Sequence, residues 1–185
     1  MPKAMEANSK CSLHDMLASR DRRSEWQRLH FKDNPATTLM VATVVAPGEY
    51  KLTPDTEVVA KAMEEVLIRE FRPYIIASKH YSFVSGHEVW LKLSCTESEA
   101  KRMAVKIEDT YILGRLFDID VIRPDMQPLS RREIGKNPRK CLLCDNEARL
   151  CMRLRKHDKE EISTFITDLI ERYVSTSGQY GNQAT

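Results

Sequence analysis

The sequence predicts an α+β fold: a mixed or antiparallel β-sheet with helices on one side, extended by helical segments at both termini. Segments rich in β-branched residues alternate with segments of helical periodicity, in the order strand, helix, strand, strand, helix, strand. Proline, glycine and serine residues at the junctions provide helix starts and turns. An element order of this kind pairs the strands in one sheet and packs the two intervening helices against it.

Most elements have a signal of their own in the residues. Pro54 stands at a first helical position, which proline favours, and Thr96 with Glu99 forms a capping-box pattern at another helix start. Residues 85–87 occupy a hairpin turn between two extended segments. The predicted elements, in chain order, are one or two helices over 13–30, a strand over 38–45, a helix from 54 that ends before 73, strands over 74–84 and 88–93, a helix after 96, a strand over 113–122, and helices near 145–155 and 159–173.

The βαββαβ-like order fits two architectures, the ferredoxin-like and the nucleotidyltransferase-like. A length of 185 residues suits one domain with a sizeable core. We expect a single domain over residues 1–175, in which residues 123–175 form a basic, cysteine-containing helical segment. Residues 176–185 are polar and contain glycine, so they predict a flexible tail.

The composition favours a soluble cytoplasmic protein. Of the residues, 42% are hydrophobic and 30% are charged, which is typical of a globular chain and too apolar for an intrinsically disordered one. No apolar run approaches the ~18 residues that span a membrane, and the N-terminus has no apolar export signal. The five cysteines are an odd number, which favours reduced thiols or metal ligands over a disulfide framework.

Two aspartates interrupt an otherwise apolar strand at residues 113–122, LGRLFDIDVI. Asp118 and Asp120 are two residues apart, so both side chains project from the same face of the strand. Two carboxylates this close repel each other unless a cation, a basic side chain or water lies between them. Together with Gly114, which permits close backbone approach, they can bind Mg²⁺ and, through it, phosphate oxygens. The simpler interpretation is an edge strand with two solvent-facing aspartates.

A basic segment follows the aspartates. Residues 123–159 carry eleven Lys or Arg against five Asp or Glu, a local charge of +6, whereas the rest of the chain sums to −4. Arginine forks match phosphate geometry, so Arg115, Arg131 and Arg132 are candidate ligands of a polyphosphate. The segment contains no aromatic residue for stacking nucleobases, which argues against nucleic acid as a partner. A solvated basic face is the alternative interpretation.

Three cysteines and a histidine have spacings that suit a metal. In Cys141-x2-Cys144-x6-Cys151-x5-His157, three thiols and an imidazole can enclose a structural Zn²⁺ tetrahedrally. Residues 147–156 also have a helical pattern, so Cys151 can instead be a buried apolar residue of that helix. Both interpretations stay open on the residues alone.

Several motifs together resemble one enzyme family. They begin with LASRDRR, which contains Arg20 and Arg23, and VVAPGEYK, which contains Gly48 and Lys51. They continue through LGRLFDIDVI to SRRE, PRKCLLC and ARLCMRLRKH, and so cover nearly the whole chain. In this order and at these spacings, the motifs resemble the phosphoribosyl-dephospho-CoA transferase of citrate lyase, also called holo-citrate lyase synthase.

The resemblance implies a nucleotidyl-type transfer by a catalytic domain. Enzymes of this family transfer the phosphoribosyl-dephospho-CoA part of 2'-(5''-triphosphoribosyl)-3'-dephospho-CoA to a serine of the apo acyl carrier subunit of citrate lyase, with release of pyrophosphate. It implies that Asp118 and Asp120 are catalytic and hold Mg²⁺. A third carboxylate is expected among Glu88, Glu108 and Glu133. The expected substrate-binding residues are Gly114, Arg115, Arg131, Arg132, Arg20, Arg23, Gly48 and Lys51.

A function of another class is the alternative. The chain would then be a non-catalytic basic module, held together by zinc, that binds an acidic carrier protein or nucleic acid. In that case binding would survive the loss of both aspartates and would disappear when the metal is chelated. The transferase hypothesis predicts the opposite dependence on the aspartates.

Overall fold

The computed structural model describes residues 9–180, with side chains through Thr176. These residues form five α-helices and four β-strands. Their bounds are α1 Leu13–Asp33, β1 Thr38–Val44, α2 Pro54–Phe71, β2 Ile75–Phe83, β3 Gly86–Leu93, α3 Glu97–Thr110, β4 Phe117–Ile122, α4 Ala148–Leu154 and α5 Lys159–Tyr180. Among the described residues, no helix combines the length and the apolar character needed to cross a bilayer.

The four strands form one antiparallel sheet in the order β2-β3-β1-β4. β1 pairs with both β3 and β4, which leaves β2 and β4 as the edge strands. The βαββαβ chain order combined with this strand order is the ferredoxin-like arrangement. The predicted α+β fold is therefore confirmed, and of the two architectures considered the ferredoxin-like one fits.

Helices α2 and α3 cover one face of the sheet. Both begin at the predicted capping residues, Thr53 and Thr96, whose side chains accept hydrogen bonds from the first helical turn. Burying each large apolar side chain of this layer contributes ~1.5–3 kcal/mol. The layer fixes which face of each strand points inward, and therefore where the polar strand residues project. Its largest fully buried side chains include Phe71, Phe117, Met40, Met63, Leu67, Leu91 and Leu93.

Helix α1, the N-terminal extension, crosses the opposite face, whereas the two helices between the strands share one face as predicted. The helix is continuous, without a break at its arginine cluster. Trp26 packs against Tyr81 and Trp90, with ring centroids 4.9 and 5.5 Å away. The Arg22 guanidinium lies 3.5 Å from the centroid of the Phe83 ring. One aromatic cluster around Trp26 and a cation–π contact hold this helix, and they leave no regular apolar stripe in the sequence.

Helix α3 closes the free edge of β4. The Ile119 amide donates to Glu108 Oε1 over 2.9 Å, and the Ile119 carbonyl accepts from Lys101 Nζ over 2.9 Å. Further along, the Leu129 amide donates to the Val121 carbonyl over 2.8 Å. An open edge would offer these backbone groups to another chain. β4 is therefore held on both sides, while the face that carries its aspartates stays free of α2 and α3.

The C-terminal helices form close to their predicted positions. Leu169 and Ile170 of α5 are buried in the core that α2 and α3 build. Helix α5 continues to Tyr180, which extends it into the predicted tail, and residues 181–185 lie outside the described residues. A single domain over residues 1–175 stays a prediction.

Gly114 packs against the end of α3. It is buried, and a Cβ atom at this position would lie 2.2 Å from the Ile107 carbonyl oxygen and 2.9 Å from that of Glu108. Both oxygens belong to helix backbone, which cannot move aside as a flexible side chain can. The chain therefore needs glycine here to pass from α3 into β4, and the additional ligand-binding role of Gly114 stays a prediction.

We expect Gly114→Ala to lower the free energy of unfolding by ~2–4 kcal/mol, because the added methyl group clashes with helix backbone. Gly135→Ala is the matched control. Gly135 has a φ of 71° but open space around its Cβ position, so the substitution should cost only ~1 kcal/mol of backbone strain. Urea denaturation measures both, and equal losses would contradict the packing role of Gly114.

Candidate functional site

The two aspartates lie on the face of β4 that α2 and α3 do not cover. The predicted alternation is observed, since the apolar residues between and beside them are buried on the opposite face. The Asp118 side chain is 57% exposed, and Asp120 is more deeply set. Across the sheet, Asp118 pairs with Thr43 and Asp120 with Val41 of β1. The pair therefore forms an acidic site at an open sheet face.

Asp120 has an unusual proton affinity. Burial, and then the neighbouring Asp118 carboxylate, raise the pKa of Asp120 to about 6. The positive charges of Lys101 and Arg139 act in the opposite direction without compensating. At neutral pH the ionised pair consequently carries negative charge that its surroundings do not balance, which is the electrostatic condition for binding a divalent cation.

An arginine from the segment after β4 lies beside the aspartates. Arg139 Nη1 is 3.5 Å from Asp118 Oδ1 and 3.6 Å from Glu108 Oε1. The Nη2 group of Arg139 donates to the Arg115 carbonyl over 2.6 Å. Arg131 donates to the other oxygen of Glu108. These contacts fold the basic segment back over the start of β4.

The predicted phosphate ligands Arg115 and Arg132 have different surroundings. The guanidinium of Arg115 donates to the backbone carbonyl of Lys140 over 2.6 Å and to that of Cys141. Arg132 is 74% exposed and lies 3.6 Å from Glu147. Arg115 therefore anchors the cysteine-containing segment, whereas Arg132 is accessible to a ligand.

Of the three glutamates considered as a third carboxylate, Glu108 shares a partner with the aspartates. Arg139 lies between Glu108 and Asp118, within 3.6 Å of both carboxylates. Glu133 is exposed and caps the short turn that follows β4. Glu88 lies on β3 in the same cross-strand row as Asp118, two strand spacings or ~10 Å away. The structure thus favours Glu108 as the neighbour of the pair.

Helix α1 brings a second positive group to the aspartate face of the sheet. Arg22 and Arg23 both donate to Glu88 Oε1, over 2.8 and 3.0 Å, and Glu88 is only 2% exposed. Two guanidinium groups on one carboxylate leave a net charge of +1. Arg23, predicted to bind substrate, is therefore on the same sheet face as Asp118, while Arg20 is exposed on α1.

The loop after β1, which contains Gly48 and Lys51, lies at the same end of the sheet. The Val45 amide donates to the Leu116 carbonyl over 2.8 Å, directly before β4. Lys51 Cβ is 3.8 Å from the position of a Cβ on Gly86, where β3 begins. Gly48 has a φ of 84°, so the exposed turn favours glycine there. The structure consequently gathers the two N-terminal motifs and the aspartate strand around one end of the sheet.

The cysteines and the histidine predicted to bind metal also come together. Ligand atoms of Cys141, Cys144, Cys151 and His157 all lie within 4.8 Å of one another. The Sγ atoms of Cys144 and Cys151 are 3.5 Å apart, and His157 Nε2 is 3.4 Å from the Cys144 Sγ. All five cysteines are free thiols. Cys151 is both a buried residue of α4 and a member of this candidate metal cluster, so the two interpretations of it are compatible.

The electrostatics of the cluster favour a thiolate at Cys144, whereas burial and then the neighbouring thiols raise the pKa of Cys151 to about 11. The backbone amide of Asn146, and then the His157 imidazole, lower the pKa of Cys144 to about 6. On its other side, His157 Nδ1 faces the Glu161 carboxylate at 3.9 Å. A carboxylate behind a histidine orients the ring of metal ligands in proteins. Thiolate and oriented imidazole are the ligand forms that a metal needs.

The sequence also matches a known protein family. The sequence model of apo-citrate lyase phosphoribosyl-dephospho-CoA transferase matches residues 11–173. The chain belongs to this family. A probable apo-citrate lyase phosphoribosyl-dephospho-CoA transferase of Streptococcus pyogenes serotype M18 is 32% identical over 176 residues, covering 90% of this chain and 89% of the relative. An apo-citrate lyase phosphoribosyl-dephospho-CoA transferase of Escherichia coli O157:H7 is 33% identical over 167 residues, covering 87% and 85%.

Membership of the apo-citrate lyase phosphoribosyl-dephospho-CoA transferase family confirms the resemblance drawn from the motifs. The names of these relatives support a transferase that attaches a prosthetic group to citrate lyase. The roles of individual residues stay predictions. The matched region contains the aspartates, the basic segment and the Cys/His cluster, so all three belong to the part of the chain that the family shares.

Sequence reasoning did not single out Lys101, and it left Arg139 and Glu108 among several alternatives. Lys101 and Glu108 are two helical turns apart and share the buried face of α3 with Ala104. Charged residues within an apolar helical stripe are the signal that could have identified them, since a buried charge needs a partner. Which partner each one meets depends on strand pairing, which the sequence does not specify.

We expect Asp120→Asn to stabilise the protein at pH 8 when no Mg²⁺ is added. The folded-state pKa of Asp120, about 6, lies above its usual value of 3.8. Ionisation therefore opposes folding, and stability falls as the pH rises through that window. Removing the charge should add ~1–3 kcal/mol to the free energy of unfolding above pH 6 and close to nothing below pH 4. Urea denaturation at both pH values measures this.

Asp118→Asn is the matched control for this measurement. Because Asp118 is 57% exposed, its substitution should change stability less than that of Asp120 at either pH. A gain at Asp120 that is the same at pH 4 and pH 8 would contradict the electrostatic origin.

Proposed function

We propose that this protein transfers the phosphoribosyl-dephospho-CoA group of 2'-(5''-triphosphoribosyl)-3'-dephospho-CoA to a serine of the apo acyl carrier subunit of citrate lyase and releases pyrophosphate. Family membership supports a transferase of this kind. The observation that supports a site for this reaction is the pair Asp118 and Asp120. Their carboxylates lie on the sheet face that α2 and α3 leave uncovered, and Arg139 lies beside them. A triphosphate donor needs both kinds of charge.

The transfer forms one P–O bond and breaks another. The serine Oγ attacks the phosphorus that is attached to the ribose, and a new P–O bond forms. The bond from this phosphorus to the oxygen that bridges it to the second phosphate breaks, and the electron pair leaves on that oxygen with pyrophosphate. The serine proton passes to a basic group or to solvent. The protein mainly has to position these partners and to balance the charge of the leaving group.

The donor set at the aspartates fits Mg²⁺. This ion is typically held in proteins by one or two carboxylates, and substrate phosphates and water supply its other ligands. Asp118 is accessible, and burial followed by the Asp118 carboxylate raises the pKa of Asp120 to about 6, so Lys101 and Arg139 do not fully balance its charge. Asp118 and Asp120 would hold the ion, which would supply positive charge to neutralise the triphosphate and the leaving pyrophosphate.

The basic residues divide into two groups in this proposal. Arg132, exposed in the segment after β4, and Arg23, on the same sheet face as the aspartates, would supply counter-charge to the triphosphate. Arg115 and Arg131 are engaged with backbone carbonyls and with Glu108. They would therefore contribute to substrate binding by holding the basic segment in place, so that Arg139 stays beside the aspartates.

We also propose that Cys141, Cys144, Cys151 and His157 bind a structural Zn²⁺. Thiolate sulfurs 2.3 Å from a tetrahedral zinc lie ~3.8 Å from one another. The 3.5 Å between the sulfurs of Cys144 and Cys151 is close to this value. Four ligands of this kind leave no open position, so the ion would stabilise the segment and take no part in the chemistry.

We expect Asp118→Asn and Asp120→Asn to lower the rate of transfer by ~10²-fold or more, because the isosteric amide keeps the shape and removes the metal ligand. The protein is incubated with the triphosphoribosyl donor, Mg²⁺ and the apo acyl carrier subunit, and the mass gain of the carrier is followed by mass spectrometry. Omitting Mg²⁺ should stop the reaction of the wild type.

Asp125→Asn serves as the control, since Asp125 is an exposed aspartate in the turn after β4. It should retain wild-type transfer. An undiminished mass gain with Asp118→Ala would overturn the role of the aspartates. If both aspartate variants still bind the carrier, and neither they nor the wild type transfer the group, the non-catalytic binding module is favoured instead.

We expect elemental mass spectrometry of the purified protein to find ~1 Zn²⁺ per chain, since three thiols and an imidazole close a tetrahedral site. Cys144→Ser should lower this ratio and the melting temperature together, because metal binding contributes to folding. Cys11→Ser, at a partly exposed cysteine far from the cluster in sequence, should change neither. A ratio near zero in the wild type would contradict the zinc site.

A further inference from the structure

Helix α4 exposes an apolar surface with two arginines at its centre. Cys151 is the buried residue of this helix, and its side chain faces the Cys/His cluster. At about 100° per residue, Arg149 and Arg153 lie on the opposite side, one helical turn apart. Large apolar side chains flank them and are unusually exposed for their type. Their exposed fractions are 47% for Leu150, 78% for Met152 and 64% for Leu154.

The charge of this surface is uncompensated in the described part of the chain. Residues 148–156 contain four Lys or Arg and no acidic residue. The ion pairs of the surrounding segment use other cations, namely Arg132 and Lys140. A helix face that combines free positive charge with exposed methionine and leucine is complementary to an acidic protein surface with apolar contacts of its own.

The start of α4 is linked to the aspartates through Arg139, whose carbonyl accepts from the Ala148 amide over 2.8 Å. Arg139 contacts Asp118 at 3.5 Å and stands two residues before Cys141. Cys141 and Cys151 belong to the same compact cluster, and Arg115 binds the Cys141 carbonyl. Helix α4 is therefore held at a fixed position relative to Asp118 by the cluster and by these two arginines.

We propose that the outer face of α4, defined by Arg149, Leu150, Met152, Arg153 and Leu154, is the docking surface for an acidic region of the apo-protein that receives the group. The inference rests on the proposed function, which requires a protein serine to reach the aspartates. The basic residues would steer and orient the acidic partner, while the apolar side chains would add short-range contact. The donor would bind independently at the sheet face.

The test is the charge-reversed double variant Arg149→Glu/Arg153→Glu in the full-length protein. When the concentration of the apo acyl carrier subunit is varied, the KM of the double variant for this carrier should rise ~10-fold or more, because like charges then face each other. The KM for the triphosphoribosyl donor and kcat at saturating carrier should stay within twofold of wild type. Direct binding of the apo-carrier, measured by calorimetry at low and high salt, should weaken in parallel and lose its salt dependence.

Arg69→Glu/Arg72→Glu is the matched control. Both are exposed arginines at the C-terminal end of α2. Arg72 is two residues before Tyr74, whose carbonyl accepts from the Ser94 amide. This contact lies at the end of the sheet opposite to Asp118. This control should leave the KM for the carrier unchanged. Zinc content and melting temperature of both double variants show that the fold is retained. Met152→Ser should raise the KM for the carrier severalfold without changing charge.

The outcomes separate the docking surface from the proposed function. If the α4 double variant transfers the group at the wild-type rate and its KM for the carrier is unchanged, the docking surface alone is overturned. Binding of the carrier through α4 without any transfer supports the surface and overturns the proposed function. Loss of single-stranded oligonucleotide binding in the variant, with carrier KM unchanged, assigns the surface to nucleic acid and overturns the proposal. A wild type that neither binds nor modifies the carrier overturns both.

Discussion

The arrangement of the candidate site depends on the hydrogen bonds and ion pairs of the Glu108 carboxylate. It is 4% exposed, and one oxygen accepts from the Ile119 amide at the edge of β4. The other accepts from Arg131, and Arg139 lies within 3.6 Å. A buried carboxylate is tolerated only with such partners, and breaking an interaction of this kind typically costs ~3–5 kcal/mol. One side chain thus fixes both the strand that carries the aspartates and the arginines beside them.

The aspartate site shows a conflict between stability and chemistry. The protein could bury an apolar residue at position 120, yet it keeps a carboxylate whose pKa burial and Asp118 raise to about 6. Ionisable groups held in unfavourable surroundings are concentrated at functional sites, because the unbalanced charge is what binds a ligand. Lys101 and Arg139 offset only part of this charge.

The Cys/His cluster connects the basic segment to the sheet. Arg115, directly before β4, binds backbone carbonyls at Lys140 and Cys141, and Arg139 returns a hydrogen bond to the Arg115 carbonyl. This reciprocal contact places a compact module of short helices beside an antiparallel sheet. A segment with few buried apolar residues can hold a defined shape through such contacts, and a metal bound by the cluster would replace part of the core that it lacks.

The sequence by itself determined the α+β class, the capped starts of α2 and α3, and the shared face of Asp118 and Asp120, since these follow from local periodicity and capping chemistry. It also determined the family, through motifs that occur together in order. Only the tertiary structure decided that α1 crosses the second face of the sheet, held by Trp26 and by arginines on Glu88. It likewise decided that Gly114 is needed for packing and that Glu108 joins the aspartates. These contacts link residues distant along the chain, and their partners are selected by strand order and by the need to neutralise buried charge, which no local pattern records.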